Sequence, residues 1–150
     1  MKYSLRPATM DDFDFMFKLK KQNLKCYVEN WEDDFQKDKL RTNLEKHLEH
    51  KRIITLDNKD IGVYASHITD NGDYYLNEIN ILKEYQNKGL GTLILTNKLE
   101  ENQKQKRRTI LQIFKTNPAI SLYKRLGFTI YSENEIQYQM EKSKRCDKNE

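Results

Sequence analysis

The sequence predicts an α/β fold, a mixed β-sheet with helices packed on it. Three observations lead there. Segments with apolar residues at three- and four-residue spacing alternate with short runs of strand type. Two clusters of turn residues, Asp57-Asn58-Lys59-Asp60 and Asp70-Asn71-Gly72-Asp73, divide the middle of the chain into three strands. A glycine-bearing loop then joins the third of these strands to a helix.

Each element has its own signal. Tyr3-Ser4-Leu5-Arg6 alternates and stops at Pro7, which marks a short strand. Thr9 is placed to cap a helix with Asp11 and Asp12 in its first turn, and Phe13, Phe17, Leu19, Leu24 and Val28 carry a helical rhythm to Asn30. Phe35, Leu40, Leu44 and Leu48 form the stripe of a second helix, from about Asp33 to His50. Strands follow over Lys51–Leu56, Ile61–Ile68 and Tyr74–Leu82. Leu90, Leu93, Ile94 and Leu99 give a helix to about Gln105, and Thr109–Phe114 is an apolar strand. Pro118 suits the first position of a short helix that Gly127 stops, and Thr129–Tyr131 and Ile136–Met140 are the last two strands. The expected domain is 1–141; residues 142–150 are charged, lack apolar anchors and read as a disordered tail.

Composition narrows the function. With 37% hydrophobic and 33% charged residues, the chain reads as a wet-surfaced globular protein, and no apolar run approaches the roughly 18 to 20 residues that span a bilayer. No apolar segment of signal-peptide type follows Met1, and Cys26 and Cys146 lie far apart without metal-ligand spacing, so the expected setting is the reducing cytoplasm. His47, His50 and His67 suggest no metal site. The net charge of +4 is spread out. Its two clusters, Lys104-Lys106-Arg107-Arg108 and Lys142-Lys144-Arg145, lack interleaved aromatics, which argues for solvated surface over a nucleic-acid footprint.

The strongest feature is Gln86-Asn87-Lys88-Gly89-Leu90-Gly91-Thr92, between a strand and a helix. Its glycines let backbone curl around a ligand, and the unpaired N–H groups of the helix start make an anion site suited to a pyrophosphate, with Lys88 adding charge. A Walker loop is excluded because no Gly-Lys-Ser/Thr ending is present; a dinucleotide fingerprint is excluded because Ile94 stands where its third glycine belongs.

These residues resemble the hallmark of the GNAT acetyltransferase superfamily, Gln/Arg-x-x-Gly-x-Gly/Ala, matched by Gln86, Gly89 and Gly91. Asn117…Ala119…Leu122-Tyr123-Lys124-Arg125-Leu126-Gly127-Phe128 is similar to a second family segment, and Leu5-Arg6-Pro7-Ala8-Thr9…Asp12 to the family's opening, so the resemblance covers about residues 3 to 140. It implies the GNAT fold, a mixed central sheet of about six to seven strands flanked by about four helices. It also implies acetyl-CoA as co-substrate and direct attack of a primary amine on the thioester. Residues 87 to 92 would then hold the pyrophosphate, Ile79 and Ile81 would pair their backbone with the pantetheine arm, and Asn117 would hydrogen-bond the CoA as well as cap its helix. Tyr123 takes the place of the general acid, although it also lies on an apolar helix face with Leu122 and Leu126.

Glu78, on the strand entering the loop, is the candidate base. Asn80 stands where relatives often carry an acid and cannot take a proton. Tyr27, Trp31 and Tyr138 are candidates for enclosing a small-molecule or peptide amine. The rival readings are an acyl-CoA-binding sensor without turnover and a nucleic-acid-binding module. A monomer and a homodimer are both compatible with the sequence.

Overall fold

The computed structural model describes residues 2–24 and 34–143. In chain order its elements are β1 (Tyr3–Pro7), α1 (Phe13–Leu24), α2 (Asp34–His47), β2 (Lys51–Leu56), β3 (Lys59–Ile68), β4 (Tyr74–Ile81), α3 (Leu90–Lys104), β5 (Thr109–Phe114), α4 (Ile120–Arg125), β6 (Thr129–Glu133) and β7 (Gln137–Lys142). The seven strands form one sheet in the order β1-β2-β3-β4-β5-β7-β6. The pairs β1–β2, β2–β3, β5–β7 and β6–β7 are antiparallel, and β4–β5 is parallel, as expected of a mixed sheet.

The chain divides into two compact units, Met1–Ala65 with Glu78–Leu90, and Ser66–Asn77 with Gly91–Glu150. In the first, Phe13, Met16 and Leu19 of α1 and Leu44 of α2 are buried in one cluster with Ala8, Ile53 and Val63. Phe13, Met16 and Phe17 share a helix face by the three- and four-residue spacing that the sequence carries. Ile53 and Val63 face each other across the β2–β3 ladder and therefore project to the same side of the sheet. In the second unit Ile94, Leu99, Ile110, Leu111, Phe128 and Met140 are buried, and the buried Asn102 amide donates to the Thr109 hydroxyl at 3.0 Å.

Several boundaries differ from those expected. The first helix opens with a 3₁₀ turn over Met10–Asp12, and the second closes with another over Leu48–His50. The β2–β3 connection is a two-residue turn, because Asp57 and Asn58 both adopt positive φ (51° and 66°), and β3 therefore begins at Lys59. α4 starts at Ile120, not at Pro118: the Asn117 carboxamide oxygen accepts from the Ala119 N–H at 2.9 Å and holds the preceding turn. β6 runs on to Glu133, and Ile136, expected to open β7, is exposed before it. Lys142, the first residue assigned to the tail, closes β7 opposite Thr109. Arg108 of the first basic cluster is tied to Asp73 at 2.7 Å and to Glu141 at 3.5 Å. Among the described residues no helix is long and apolar enough to cross a membrane.

Entry into α1 is fixed by one carboxylate. Asp12 accepts two hydrogen bonds from the Arg6 guanidinium, at 2.8 and 3.0 Å, and one from the Thr9 N–H at 2.9 Å. The Arg6 hydrogen bonds, chiefly, hold its carboxyl below the ordinary 3.8 despite partial burial. A carboxylate whose folded pKa is depressed stabilises above its unfolded value and loses that contribution as pH falls through the folded value. Asp12→Asn weakens the hydrogen bonds from Arg6 and should therefore cost about 1 kcal/mol at neutral pH. Urea melts of both proteins should show the difference shrinking once pH drops below 3.8.

Candidate functional site

β4 carries Glu78 and Asn80 two residues apart on one strand face. The Asn80 amide donates to Glu78 Oε2 at 2.6 Å, and Lys51 Nζ donates to Glu78 Oε1 at 2.7 Å. Lys51 lies on β2, and β3 stands between β2 and β4, so the lysine chain has to cross a strand. Its register partner on β3 is the buried Ala65, which leaves only a methyl group in the way. Both ends of the ion pair are largely covered, at 17% and 15% side-chain exposure. Burial pushes the Glu78 carboxyl up. The charges of Lys51 and Lys20, with the hydrogen bonds from Lys51 and Asn80, outweigh it and hold the group below its ordinary 4.5. Glu78 is thus ionised at neutral pH with both oxygens engaged.

Glu78 and Lys51 line a small cavity of about 40 Å³. Its walls are Phe13, Met16 and Phe17 of α1 and Leu40 and Leu44 of α2, with Lys20 and Asn43 also lining it. Sequence reasoning found the apolar stripes of these helices but not Lys20, Lys51 or Ala65. A faint signal existed, since Lys51 stands two residues before the buried Ile53 and so shares its inward phase.

β4 runs out into the loop. Asn87 and Gly89 take positive φ, 61° and 83°, which turns the chain into α3 at Leu90. The Gln86 side-chain amide donates to the Ile81 carbonyl at 2.7 Å and pins the loop to the end of β4. Gln86, Asn87, Lys88 and Gly89 are exposed, whereas Leu90 is buried. Gly91 and Thr92 lie in the first turn of α3, whose N–H groups have no intrahelical partner.

In the second unit α4 positions Tyr123. Gly127, with φ of 98°, ends the helix: its N–H donates to the Lys124 carbonyl at 3.0 Å and the Phe128 N–H to the Tyr123 carbonyl at 3.0 Å. These are the two bonds of a Schellman cap. The cap brings the Phe128 ring edge-on to Tyr123, with centroids 5.4 Å apart. Tyr123 is 7% exposed, and burial pushes its phenol up to about 12. Among the described residues its hydroxyl has no hydrogen-bond partner. Tyr138 lies on β7 with Lys115 Nζ 5.2 Å from its ring centroid. Tyr27 and Trp31 fall outside the described residues.

Removing the lysine tests the ion pair. Lys51→Met leaves a covered carboxylate with Asn80 as its remaining hydrogen-bond donor, a loss of about 1–3 kcal/mol in urea denaturation at pH 7. Burial is then less opposed, so the Glu78 carboxyl should titrate higher, and the acid loss of stability should begin at higher pH than in the parent. Glu78 titration followed by NMR and unchanged by Lys51→Met would remove the pair from this account.

A family model described as an acetyltransferase (GNAT) domain matches residues 49–130, more than half the chain. No curated protein matches the chain by sequence. Solved structures share its fold at low identity. PaiA N-acetyltransferase from Thermoplasma acidophilum, in complex with coenzyme A, superposes with a TM-score of 0.71 at 18% identity, covering 95% of this chain and 99% of its own. An N-acetyltransferase from Staphylococcus aureus Mu50 gives 0.72 at 18%, with 92% and 99% covered. The ribosomal-protein-S18-alanine N-acetyltransferase of Escherichia coli gives 0.69 at 17%, with 97% and 96% covered. With its strand order, its glycine loop and this family match together, the chain belongs to the GNAT acetyltransferase family.

Proposed function

We propose that this protein is an acetyl-CoA-dependent N-acetyltransferase that moves the acetyl group to a primary amine by direct attack in a ternary complex. The amine nitrogen forms a bond to the acetyl carbon, the carbon–sulfur bond breaks, the nitrogen loses a proton and the departing thiolate gains one. The observation that carries this reading is Tyr123. A buried phenol with no hydrogen-bond partner among the described residues leaves a costly unmet donor, unless a ligand takes it up. In this reading the ligand atom is the thioester sulfur.

The phenol, at about 12, is protonated throughout the working range. An ordinary thiol lies near about 8.5. Tyr123 therefore acts first as a hydrogen-bond donor that stabilises the developing thiolate. The loop from Asn87 through Thr92 holds the pyrophosphate on unpaired N–H groups, and the backbone of Ile79 and Ile81 receives the pantetheine arm. Gln86 shapes that loop through its bond to Ile81. Asn117 is assigned to the CoA in addition to its turn. Tyr138, with Tyr27 and Trp31, is assigned to the acceptor.

Glu78 is the carboxylate beside the incoming amine. Held ionised by Lys51 and Lys20, it is too weak a base to keep the proton. It passes the proton on to water, or the amine arrives already neutral, its ammonium proton lost to solvent in the acceptor's own equilibrium. The same engagement of both Glu78 oxygens is the one observation favouring an acyl-CoA sensor without turnover. The coenzyme A complex of the Thermoplasma relative supports the choice of donor for either reading.

Two substitutions test the assignment. Tyr123→Phe keeps the ring against Phe128 and loses the donor. Turnover, read as thiol release, should fall by about 10²–10⁴, with acetyl-CoA affinity little changed. Equal turnover with a confirmed acceptor would leave Tyr123 a core residue only. Gly91→Glu puts bulk and negative charge at the start of α3 and should abolish acetyl-CoA binding measured by calorimetry in a variant whose circular dichroism matches the parent. Retained affinity would move the pyrophosphate elsewhere.

A further inference from the structure

Glu78 is held by three groups, and one of them is neutral. Lys51 on β2 donates to Oε1 at 2.7 Å, and the charge of Lys20 on α1 acts on the same carboxylate. The α2 residues that line the cavity beside it, Leu40, Asn43 and Leu44, bring no charge. The neutral group is Asn80, two residues along β4 and on the same strand face, whose amide donates to Oε2 at 2.6 Å. All of these residues belong to the first unit.

An ionised carboxylate only accepts hydrogen bonds, so Asn80 has to turn its NH₂ end, and not its oxygen, toward Glu78. The main chain that carries this amide is fixed from behind. A Cβ on Gly62 of β3 would run into the Asn80 carbonyl, and the Leu82 N–H donates to the Ile61 carbonyl at 2.8 Å. An aspartate in place of Asn80 has the same shape and the opposite effect. Two carboxylates this close do not both ionise, and one is driven to hold a proton. The amide at this position therefore decides whether Glu78 stays a counter-ion or becomes a proton acceptor.

We propose that Asn80 is a positioning residue that fixes Glu78 as the counter-ion of Lys51 and withholds it from proton transfer, so that the acceptor amine reacts only from its own neutral form. The statement about the amine rests on the acetyltransferase reading above; the lock on Glu78 stands on the geometry. The acceptor class follows from it. At neutral pH an α-amine with a pKa of about 8 is neutral to about a tenth, whereas an alkyl amine at about 10.4 is neutral to less than about a thousandth. At equal binding, weakly basic amines are the better acceptors.

Two measurements on the full chain test this. The first is the NMR titration of the Glu78 side chain. In the parent it should lie below 4.5. Asn80→Ala, with one donor lost, should raise it, and Asn80→Asp should raise it further, the two carboxylates titrating as a pair. Asn80→Asp is isosteric and decides alone if Asn80→Ala does not fold. A Glu78 titration that neither variant moves overturns the lock. The second is kcat/KM for acetyl transfer to ethylamine and to 2,2-difluoroethylamine, amines of like shape and different basicity. In the parent each profile should climb about tenfold per pH unit and level off at that amine's own pKa. Asn80→Asp should flatten the climb, because the carboxylate pair takes up the ammonium proton inside the site. A parent profile that is flat below the amine's pKa, or that bends at one pH for both amines, means that the protein takes the proton and overturns the proposal. If neither amine releases CoA, the acetyltransferase reading fails for simple amines, and the Glu78 titration upholds or ends the lock by itself.

Discussion

The Lys51–Glu78 ion pair is the constraint around which the first unit is arranged. It joins β2 to β4 over the intervening β3, which is feasible because Ala65 offers only a methyl group at the crossing. Taking two charges out of water is costly, and their attraction offsets that cost only with good geometry and further hydrogen bonds. Here both conditions are met: the ion pair closes at 2.7 Å and Asn80 satisfies the second carboxylate oxygen. Both partners also line the small cavity beside α1 and α2, so the pair supplies the charged part of a lining that is otherwise largely apolar.

A second constraint is backbone proximity. A Cβ on Gly62 would run into the Asn80 carbonyl and crowd Ile54, so β3 approaches β4 as closely as glycine allows beside the residue that holds Glu78. The Leu82 N–H donates to the Ile61 carbonyl at 2.8 Å just beyond it. The exit of β4 is thus fixed from the β3 side before the loop begins, and the Gln86 amide locks it from the loop side. The direction in which Asn87 and Gly89 turn the chain depends on both.

Much of the architecture was legible in the sequence because local signals agreed with one another. The helical stripe of Phe13 and Phe17, the strand read over Lys51–Leu56 and the glycine loop each pointed to one element, and those elements formed. The misses share a cause. Pro118 is compatible with a helix start, but the Asn117 carboxamide competes for the backbone two residues on and delays α4 to Ile120. Asp57 and Asn58 tolerate positive φ, so two residues sufficed where four were read as turn. Lys20 and Lys51 were invisible as site residues because a lysine's meaning lies in which carboxylate it meets, and that partner is distant in sequence. Glu78 was readable as a candidate base from its strand position, but the lysine and the asparagine that engage it were not.

The cap that ends α4 has a consequence for how firmly Tyr123 is held. The bond from the Phe128 N–H to the Tyr123 carbonyl and the contact between their rings make one short covalent stretch responsible for where a phenol sits. Gly127 supplies the left-handed turn without which that stretch would not fold back. Tyrosine, glycine and phenylalanine therefore act as one mechanical unit: displacing the turn at Gly127 displaces the phenol and the ring packed on it together.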